Sequence, residues 1–285
     1  MREEKLLKIF DALNFGKQYL KNYVSEPRLE AEGLLSFLLG VGREYIIVNR
    51  DKELSENIFE RYKGLLDLRK DGMPYQYIVG KKHFMGLIFK VSPNVLIPRN
   101  DTEVLVEEVL KRLQKDDMVL DIGTGSGAIA VSIAKYKDVK VYAVDISDDA
   151  LSVARDNAYE NGVLDKIVFL KSDLFSSVPK DVKFDVIVSN PPYIRSGDID
   201  KLQEEVKKEP KIALDGGEDG LLFYRKIVRD SKEYIKSSGI IAFEVGYDEA
   251  GDVSRILLDG GYGNIEIVKD LQGIDRVVLG KWLGS

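Results

Sequence analysis

The run MVLDIGTGSGAIAVSIA, Met118 to Ala134, decides the kind of fold this chain adopts. Its first five residues, Met118 to Ile122, form a short apolar run interrupted only by Asp121, which reads as a strand. Gly123, Gly125 and Gly127 then let the backbone turn tightly and approach a ligand. The alanine-rich apolar run that follows begins a helix whose N-terminus is locally positive. Strand, glycine loop and helix in this order make a nucleotide-type loop. Because Gly123, Gly125 and Ala128 also satisfy the dinucleotide pattern GxGxxG/A, the loop alone leaves a nicotinamide cofactor open.

Downstream, VYAVDIS closes a second strand on Asp145. It stands about two dozen residues past the loop, where a carboxylate can accept both ribose hydroxyls. SDLF, Ser172 to Phe175, follows a third strand-like run. Then comes DVIVSNPPYI, Asp185 to Ile194, whose β-branched core Val186, Ile187 and Val188 reads as a buried strand. Two consecutive prolines cannot donate to a sheet ladder. Asn190 therefore sits at the strand end, with its side chain and the Pro191 carbonyl projecting from the sheet edge, and Pro192 and Tyr193 follow. An amide, a carbonyl and an aromatic face suit a planar, nitrogen-bearing group. The plainer alternative is a turn: Asn-Pro initiates turns, and double prolines end strands. A hydride-transfer enzyme would need a proton-handling group; the only histidine is His83, and NPPY has no part in that chemistry.

The strand ending in Asp121, the GxGxG loop, Asp145, SDLF and NPPY together resemble a class I S-adenosylmethionine-dependent methyltransferase. GMPYQYIVGKKHFMGLIFKV, VLIPRNDTEVLVEEVL and EPKIALDGGEDGLLFYRKI resemble, more narrowly, the release factor glutamine methyltransferases of the HemK or PrmC type, as does PRLEAEGLLSFLLG near the start. The resemblance implies S-adenosylmethionine as cofactor, held by Asp121, Gly123, Thr124, Gly125, Ser126, Gly127, Asp145, Ile146, Asp173, Leu174 and Asn190. Asp121 would help position the methionine end and Asp173 would lie near the adenine amino group; each is also a residue type that caps helices and turns. It implies a catalytic set of Asn190, Pro191, Pro192 and Tyr193. The implied substrate is the glutamine of the Gly-Gly-Gln motif in peptide chain release factors, methylated on its side-chain amide nitrogen N5. NPPY also resembles the motif of ribosomal-protein glutamine methyltransferases and of adenine-N6 methyltransferases, since all present a planar NH2.

The chemical problem in that reaction is the nucleophile, whose lone pair is delocalised into the carbonyl. The Asn190 side-chain oxygen and the Pro191 carbonyl can each accept one amide N–H, and both bonds strengthen as the nitrogen becomes positive. Tyr193 is expected to pack on the amide plane. No strong general base is evident.

Composition narrows the alternatives. At 285 residues, 44% hydrophobic and 32% charged, the chain can bury a sizeable core and is long enough for two domains. No cysteines and one histidine exclude disulfides, thiolate chemistry and a zinc site of the usual kind, and no metal is expected. A net charge of −6 argues against a protein that holds nucleic acid by neutralising phosphates, so no stable nucleic-acid partner is expected. No apolar run approaches the roughly 18 residues that span a bilayer, and MREEKLLKIFDAL is too charged for a signal peptide, so a cytoplasmic protein without a membrane partner is expected.

Residues 1–72 read as helical. Leu6, Leu7, Phe10 and Leu13 fall at helical spacing; Ser25 resembles a cap before Glu26-Pro27; Leu34, Leu35, Leu38 and Leu39 continue an apolar face to Gly40; and Ser55 starts another helix through Leu68. This segment is assigned as a substrate-docking domain. Across residues 73–98, Tyr75, Tyr77 and Val79, then Phe84, Leu87, Phe89 and Val91, alternate as in a β-hairpin linker. From residue 99 to 285, strand and helix alternate. That implies a doubly wound α/β fold, a seven-stranded mainly parallel sheet in the class resembled, with IEIVKD and DRVVLGKWL as a closing antiparallel pair. Arg99 and Glu103 are second-tier candidates for the pocket, and Glu218, Asp219 and Gly220 read as loop residues.

Overall fold

A computed structural model describes residues 7–284. The chain divides into two compact units: one runs up to Gly80 and takes in Gln203–Lys208; the other comprises Lys81–Leu202 and the chain from Glu209 onward.

The first unit is built from helices Ile9–Leu20, Pro27–Leu39, Arg43–Val48, Glu56–Lys70 and Tyr75–Val79. Local chemistry sets their ends. Pro27 opens its helix in the first turn, and Gly40 closes it in the left-handed region at φ 65°. The Ser55 hydroxyl caps the helix it precedes by accepting from the Ile58 N–H. Leu13, Leu20, Leu34, Leu35, Tyr62 and Leu66 meet in one core. Three expectations change. The cap position before Pro27 is held by Glu26, not Ser25, and has no side-chain bond. Leu7 lies in a two-residue strand paired with Leu54, Phe10 is exposed, and Leu6 lies outside the described residues. Tyr75, Tyr77 and Val79 lie on a helical turn between Pro74 and Gly80, not on a hairpin strand. Alternation over five residues does not separate strand from helix, and here the bracketing proline and left-handed glycine decide.

The second unit opens with the hairpin Lys81–Phe84 and Leu87–Lys90. Its two-residue turn, Met85-Gly86, has φ of 50° and 70°, the mirror-image turn geometry whose twist suits paired strands. The main sheet follows. Its strands are β1 (Met118–Ile122), β2 (Lys140–Asp145), β3 (Ile167–Lys171), β4 (Phe184–Ser189), β5 (Ile235–Glu244), β6 (Tyr262–Lys269) and β7 (Asp275–Trp282), in spatial order β6-β7-β5-β4-β1-β2-β3. The five strands β1 to β5 pair in parallel, and β7 runs antiparallel to both β5 and β6.

Both faces of the sheet are covered, which is why its central strands are nearly continuous apolar runs. Val119, Val141 and Val188 pack on one face with Val106, Ile129 and Ile133. Leu120, Ile187 and Phe243, one residue out of phase, pack on the other with Tyr224, Ile227 and Val253. Strand order reverses between β1 and β4, the place where doubly wound sheets bind ligands. There Ile122 pairs with Ser189, and the Ser189 hydroxyl donates to the Ile122 carbonyl at 2.7 Å across 67 residues of sequence. The glycine loop and NPPY therefore leave the sheet side by side.

One buried side chain braces that loop. Asn157, on helix Asp148–Glu160, accepts from the Lys90 N–H at 2.7 Å and donates to the Lys90 carbonyl at 3.0 Å and the Ser126 carbonyl at 2.8 Å. It ties the hairpin edge to the glycine loop. Asn157→Ala strands these groups and should lower unfolding stability by roughly 2–4 kcal/mol. Chemical denaturation checks this; a loss under about 0.5 kcal/mol, the range of an ordinary surface change, would contradict it.

Candidate active site

Gly123, Gly125 and Gly127 have φ of 73°, 55° and 80°, all in the region L side chains avoid. Their surroundings differ. A Cβ on Gly123 would meet nothing within 4 Å, whereas one on Gly127 would stand 3.0 Å from the Ala154 Cβ. The first glycine keeps space open for a ligand; the third lets the following helix, Ala128–Tyr136, pack closely against its neighbour.

Asp121 lies beneath the loop, fully buried. Its Oδ2 accepts from the Thr124 hydroxyl at 2.6 Å and the Ala130 N–H at 3.2 Å, while its Oδ1 has no partner among the described residues. Burial pushes its pKa up to about 7. Asp145, at the end of β2, accepts from the Gly125 N–H at 2.8 Å and the Ser147 N–H at 2.9 Å, and burial raises its pKa despite those bonds. One carboxylate thus shapes the loop from below and the other from the side.

A cavity of about 490 Å³ opens at this edge of the sheet, lined by Gly123, Gly125, Asp145, Ile146, Asp173, Leu174, Asn190, Pro191 and Pro192. Leu174 holds φ at 50°, turning the backbone after Asp173. Asp121, Thr124, Ser126, Gly127 and Tyr193 do not line it. The first four support the loop through the contacts just given. Tyr193 is instead packed on the core that contains Tyr224 and Phe243, and burial pushes its phenol pKa well up. Arg99 and Glu103 do not line the cavity either: Arg99 pairs with Glu209, and Glu103 accepts from the Met85 N–H at 2.6 Å.

Beyond NPPY the chain is clamped. Ile194 forms a parallel bridge with Asp215; its N–H donates to the Leu214 carbonyl at 3.0 Å, and its carbonyl accepts from the Gly216 N–H at 2.8 Å. A Cβ on Gly216 would stand 2.7 Å from the Tyr193 Cα and 2.8 Å from the Pro192 carbonyl oxygen, and one on Gly220 would stand 2.5 Å from the Tyr193 carbonyl oxygen. The loop DGGEDG is therefore a close-fitting brace on NPPY. Its glycines were legible only as turn residues. Pro93 to Leu96, Ile212, Phe223 and Lys226 also line the cavity; all but Pro93 and Asn94 fall in the stretches VLIPRNDTEVLVEEVL and EPKIALDGGEDGLLFYRKI that carry the resemblance, though none stands out there as a site residue.

Behind Asn190 stand Thr102 and Glu244. The Asn190 Nδ2 donates to the Thr102 Oγ1 at 3.3 Å. Glu244, 2% exposed at the end of β5, is close enough to the Thr102 hydroxyl and the Asn190 amide for both to favour its ionised form, but burial outweighs them and pushes its pKa up to about 7. A carboxylate closing the apolar run IIAFE is a signal in the sequence, though its target is not.

The chain matches two family models, the methyltransferase small domain over residues 99–223 and the PrmC N-terminal domain over residues 11–80. It is 47% identical to the release factor glutamine methyltransferase of Clostridium acetobutylicum, over 96% of this chain and 98% of that one. With the protein of the same name from Fusobacterium nucleatum it shares 41% identity, over 98% and 79% of the two chains. Among solved structures, a T. thermophilus 16S rRNA methyltransferase in complex with AdoMet and guanosine superposes with a TM-score of 0.53 at 18% identity, over 71% of this chain and 49% of that one. That likeness concerns the fold.

The buried acids carry a pH dependence. The folded pKa of Asp121 lies near 7 against an ordinary value of 3.8. Between those values the folded chain retains a proton that the unfolded chain has lost, so stability falls as pH rises through the interval. Glu244 and Glu249, both also pushed up to about 7, contribute slopes of the same sign. Asp121→Asn should flatten the decline and exceed the wild type in stability at about pH 8. Urea unfolding at about pH 5 and 8 tests this; identical slopes in the two proteins would contradict it.

Proposed function

We propose, for a chain that belongs to the family of release factor glutamine methyltransferases, that it transfers a methyl group from S-adenosylmethionine to the side-chain amide nitrogen of the glutamine in the Gly-Gly-Gln motif of peptide chain release factors. The carrying observation is the pairing of Ile122 with Ser189, which sets NPPY beside the glycine-loop cavity.

The residues present fit the cofactor. The open space at Gly123 and Gly125 and the Asp145 carboxylate on the cavity wall provide a cradle with an acceptor for a hydroxyl-bearing ligand, and Asp121 beneath the loop adds a buried acid whose Oδ1 has no partner among the described residues. Asp145 and Ile146 would hold the ribose, Asp173 and Leu174 the adenine, and the loop from Gly123 to Gly127 above Asp121 the methionine end. When bound, the cofactor supplies an electrophilic methyl group on a positively charged sulfur.

Asn190 and Pro191 do the positioning. The Asn190 Oδ1 and the Pro191 carbonyl each accept one N–H of the glutamine amide and so aim its nitrogen. As that nitrogen gains positive charge, both acceptors bind it more strongly than in the ground state, which lowers the barrier. Pro192 holds the backbone rigid between them and Tyr193. Tyr193, gripped by Gly216 and Gly220, anchors the motif from the core side rather than serving as a cavity wall. An N-methylated amide cation is strongly acidic, so its proton leaves to water without a dedicated base.

In the same proposal, residues 1–72 dock the release factor, residues 73–98 link the two parts and residues 99–285 catalyse. The match of residues 11–80 to the PrmC N-terminal domain supports the first assignment. Among the described residues no helix is long and apolar enough to cross a membrane. With the net charge of −6, this supports action in the cytoplasm on a protein, without stable attachment to nucleic acid or membrane.

Incubation with labelled S-adenosylmethionine and purified release factors, followed by mapping of the labelled residue, tests the activity; label anywhere but that glutamine would overturn it. Asn190→Ala should lower kcat by about 10²- to 10³-fold with little change in cofactor affinity. A folded variant with near wild-type transfer would remove Asn190 from the mechanism. Asp145→Ala should weaken cofactor binding by roughly 1 to 3 kcal/mol, read by calorimetry, and an unchanged dissociation constant would dismiss the ribose assignment.

A further inference from the structure

A side-chain amide has two faces of opposite use: its oxygen can accept from the substrate, whereas its NH2 would repel the N–H groups it must orient. Nothing in the backbone of NPPY chooses between them. We propose that Glu244, acting through Thr102, is a positioning residue that turns the Asn190 amide so that its oxygen faces the substrate. The inference rests on the role of Asn190 given above and deepens it.

The placement comes from the sheet. Ser189 on β4 pairs with Phe243 on β5, so the next residues along the two parallel strands, Asn190 and Glu244, leave the sheet level with each other. Thr102 reaches the same point from helix Asp101–Arg112 and is buried there. The polarity follows from the inventory of donors. Once ionised, as Glu244 is above about pH 7, a carboxylate only accepts, so whatever faces it must donate. The Thr102 oxygen accepts from the Asn190 Nδ2, which leaves the one hydrogen of its hydroxyl free to turn to the neighbouring Glu244. With its NH2 turned to Thr102, on the side where Glu244 lies, Asn190 has its oxygen left for the cavity it lines. Bonds to a charged acceptor are shorter and stronger than neutral ones, and successive bonds polarise one another, so the chain also makes the Asn190 oxygen a better acceptor.

Packing alone gives no reason for a carboxylate at this position. Its neighbours along β5, Ile241, Ala242 and Phe243, are fully buried apolar residues. A buried acid there costs stability unless it is compensated. Its Oε2 has no hydrogen-bond partner among the described residues, and nearby Arg276 is ion-paired to Asp101 at 2.9 Å and Asp270 at 2.9 Å. The acid is thus left to face Thr102 and Asn190.

The test measures single-turnover methyl transfer by the full-length chain to a purified release factor, together with cofactor affinity. Thr102→Val and Glu244→Gln should each slow transfer by roughly 10- to 100-fold with cofactor affinity and KM within about twofold of wild type. Thr102→Ser, which keeps the hydroxyl, should recover most of the rate lost in Thr102→Val. Because the pair acts through Asn190, Thr102→Val combined with Asn190→Ala should be no slower than Asn190→Ala alone, a non-additivity that a general packing defect does not produce. Should Glu244→Gln fail to fold, the near-isosteric Thr102 series carries the test. Wild-type transfer by Thr102→Val beside a slow Asn190→Ala overturns the positioning role and leaves the Asn190 reading standing. Wild-type transfer by Asn190→Ala overturns both.

Discussion

The parallel pairing of β1 with β4 is the constraint on which the site depends. Two segments 67 residues apart must meet in one register, Ile122 against Ser189, for the glycine loop and the asparagine to share an opening. Because side chains alternate along a strand, a slip of one residue would turn Ile122 and Leu120 away from their core and move Asn190 off the cavity edge. The same hydrophobic burial that stabilises the sheet therefore also sets the distance between the cofactor cradle and the acceptor that aims the nucleophile.

Buried carboxylates recur around that opening. Asp121, Glu244 and Glu249 are all pushed up to about 7 by burial, and each is attached to a different part of the machinery: the glycine loop through Thr124, the Asn190 amide through Thr102, and the start of helix Ala250–Asp259 through the Gly246 N–H at 3.0 Å. Their cost in stability is set against the precision they give once ionised, since an acceptor-only group dictates the polarity of every donor that faces it.

Glycine is used here in three distinct ways. Gly123 and Gly125 leave room for a ligand, Gly127 lets a helix approach, and Gly216 and Gly220 let one backbone lie directly on another. Only the first two uses belong to a loop motif. The third makes NPPY rigid from outside, complementing the two prolines that stiffen it from within.

The sequence by itself determined the elements whose chemistry is local. The apolar runs of β1, β2 and β4, the glycines that permit positive φ after Ile122, and the proline pair that ends a strand at Asn190 all act within a few residues, so their reading needs no knowledge of the rest of the chain. It also determined the layered α/β order, because strand and helix alternate in chain order. Tertiary structure decided what depends on distant partners. Tyr75 to Val79 became a helical turn because Pro74 and Gly80 bracket it, where alternation over five residues reads equally as strand. Tyr193 packs on the core beside Tyr224 and Phe243 while Gly216 and Gly220 lie on its backbone, both long-range contacts, and a glycine that admits a close approach looks in sequence like a glycine that makes a turn. Glu244 was visible as an acid at the end of an apolar run. That it faces Asn190 and Thr102 follows only from the register of β4 against β5, a long-range pairing that no local pattern encodes.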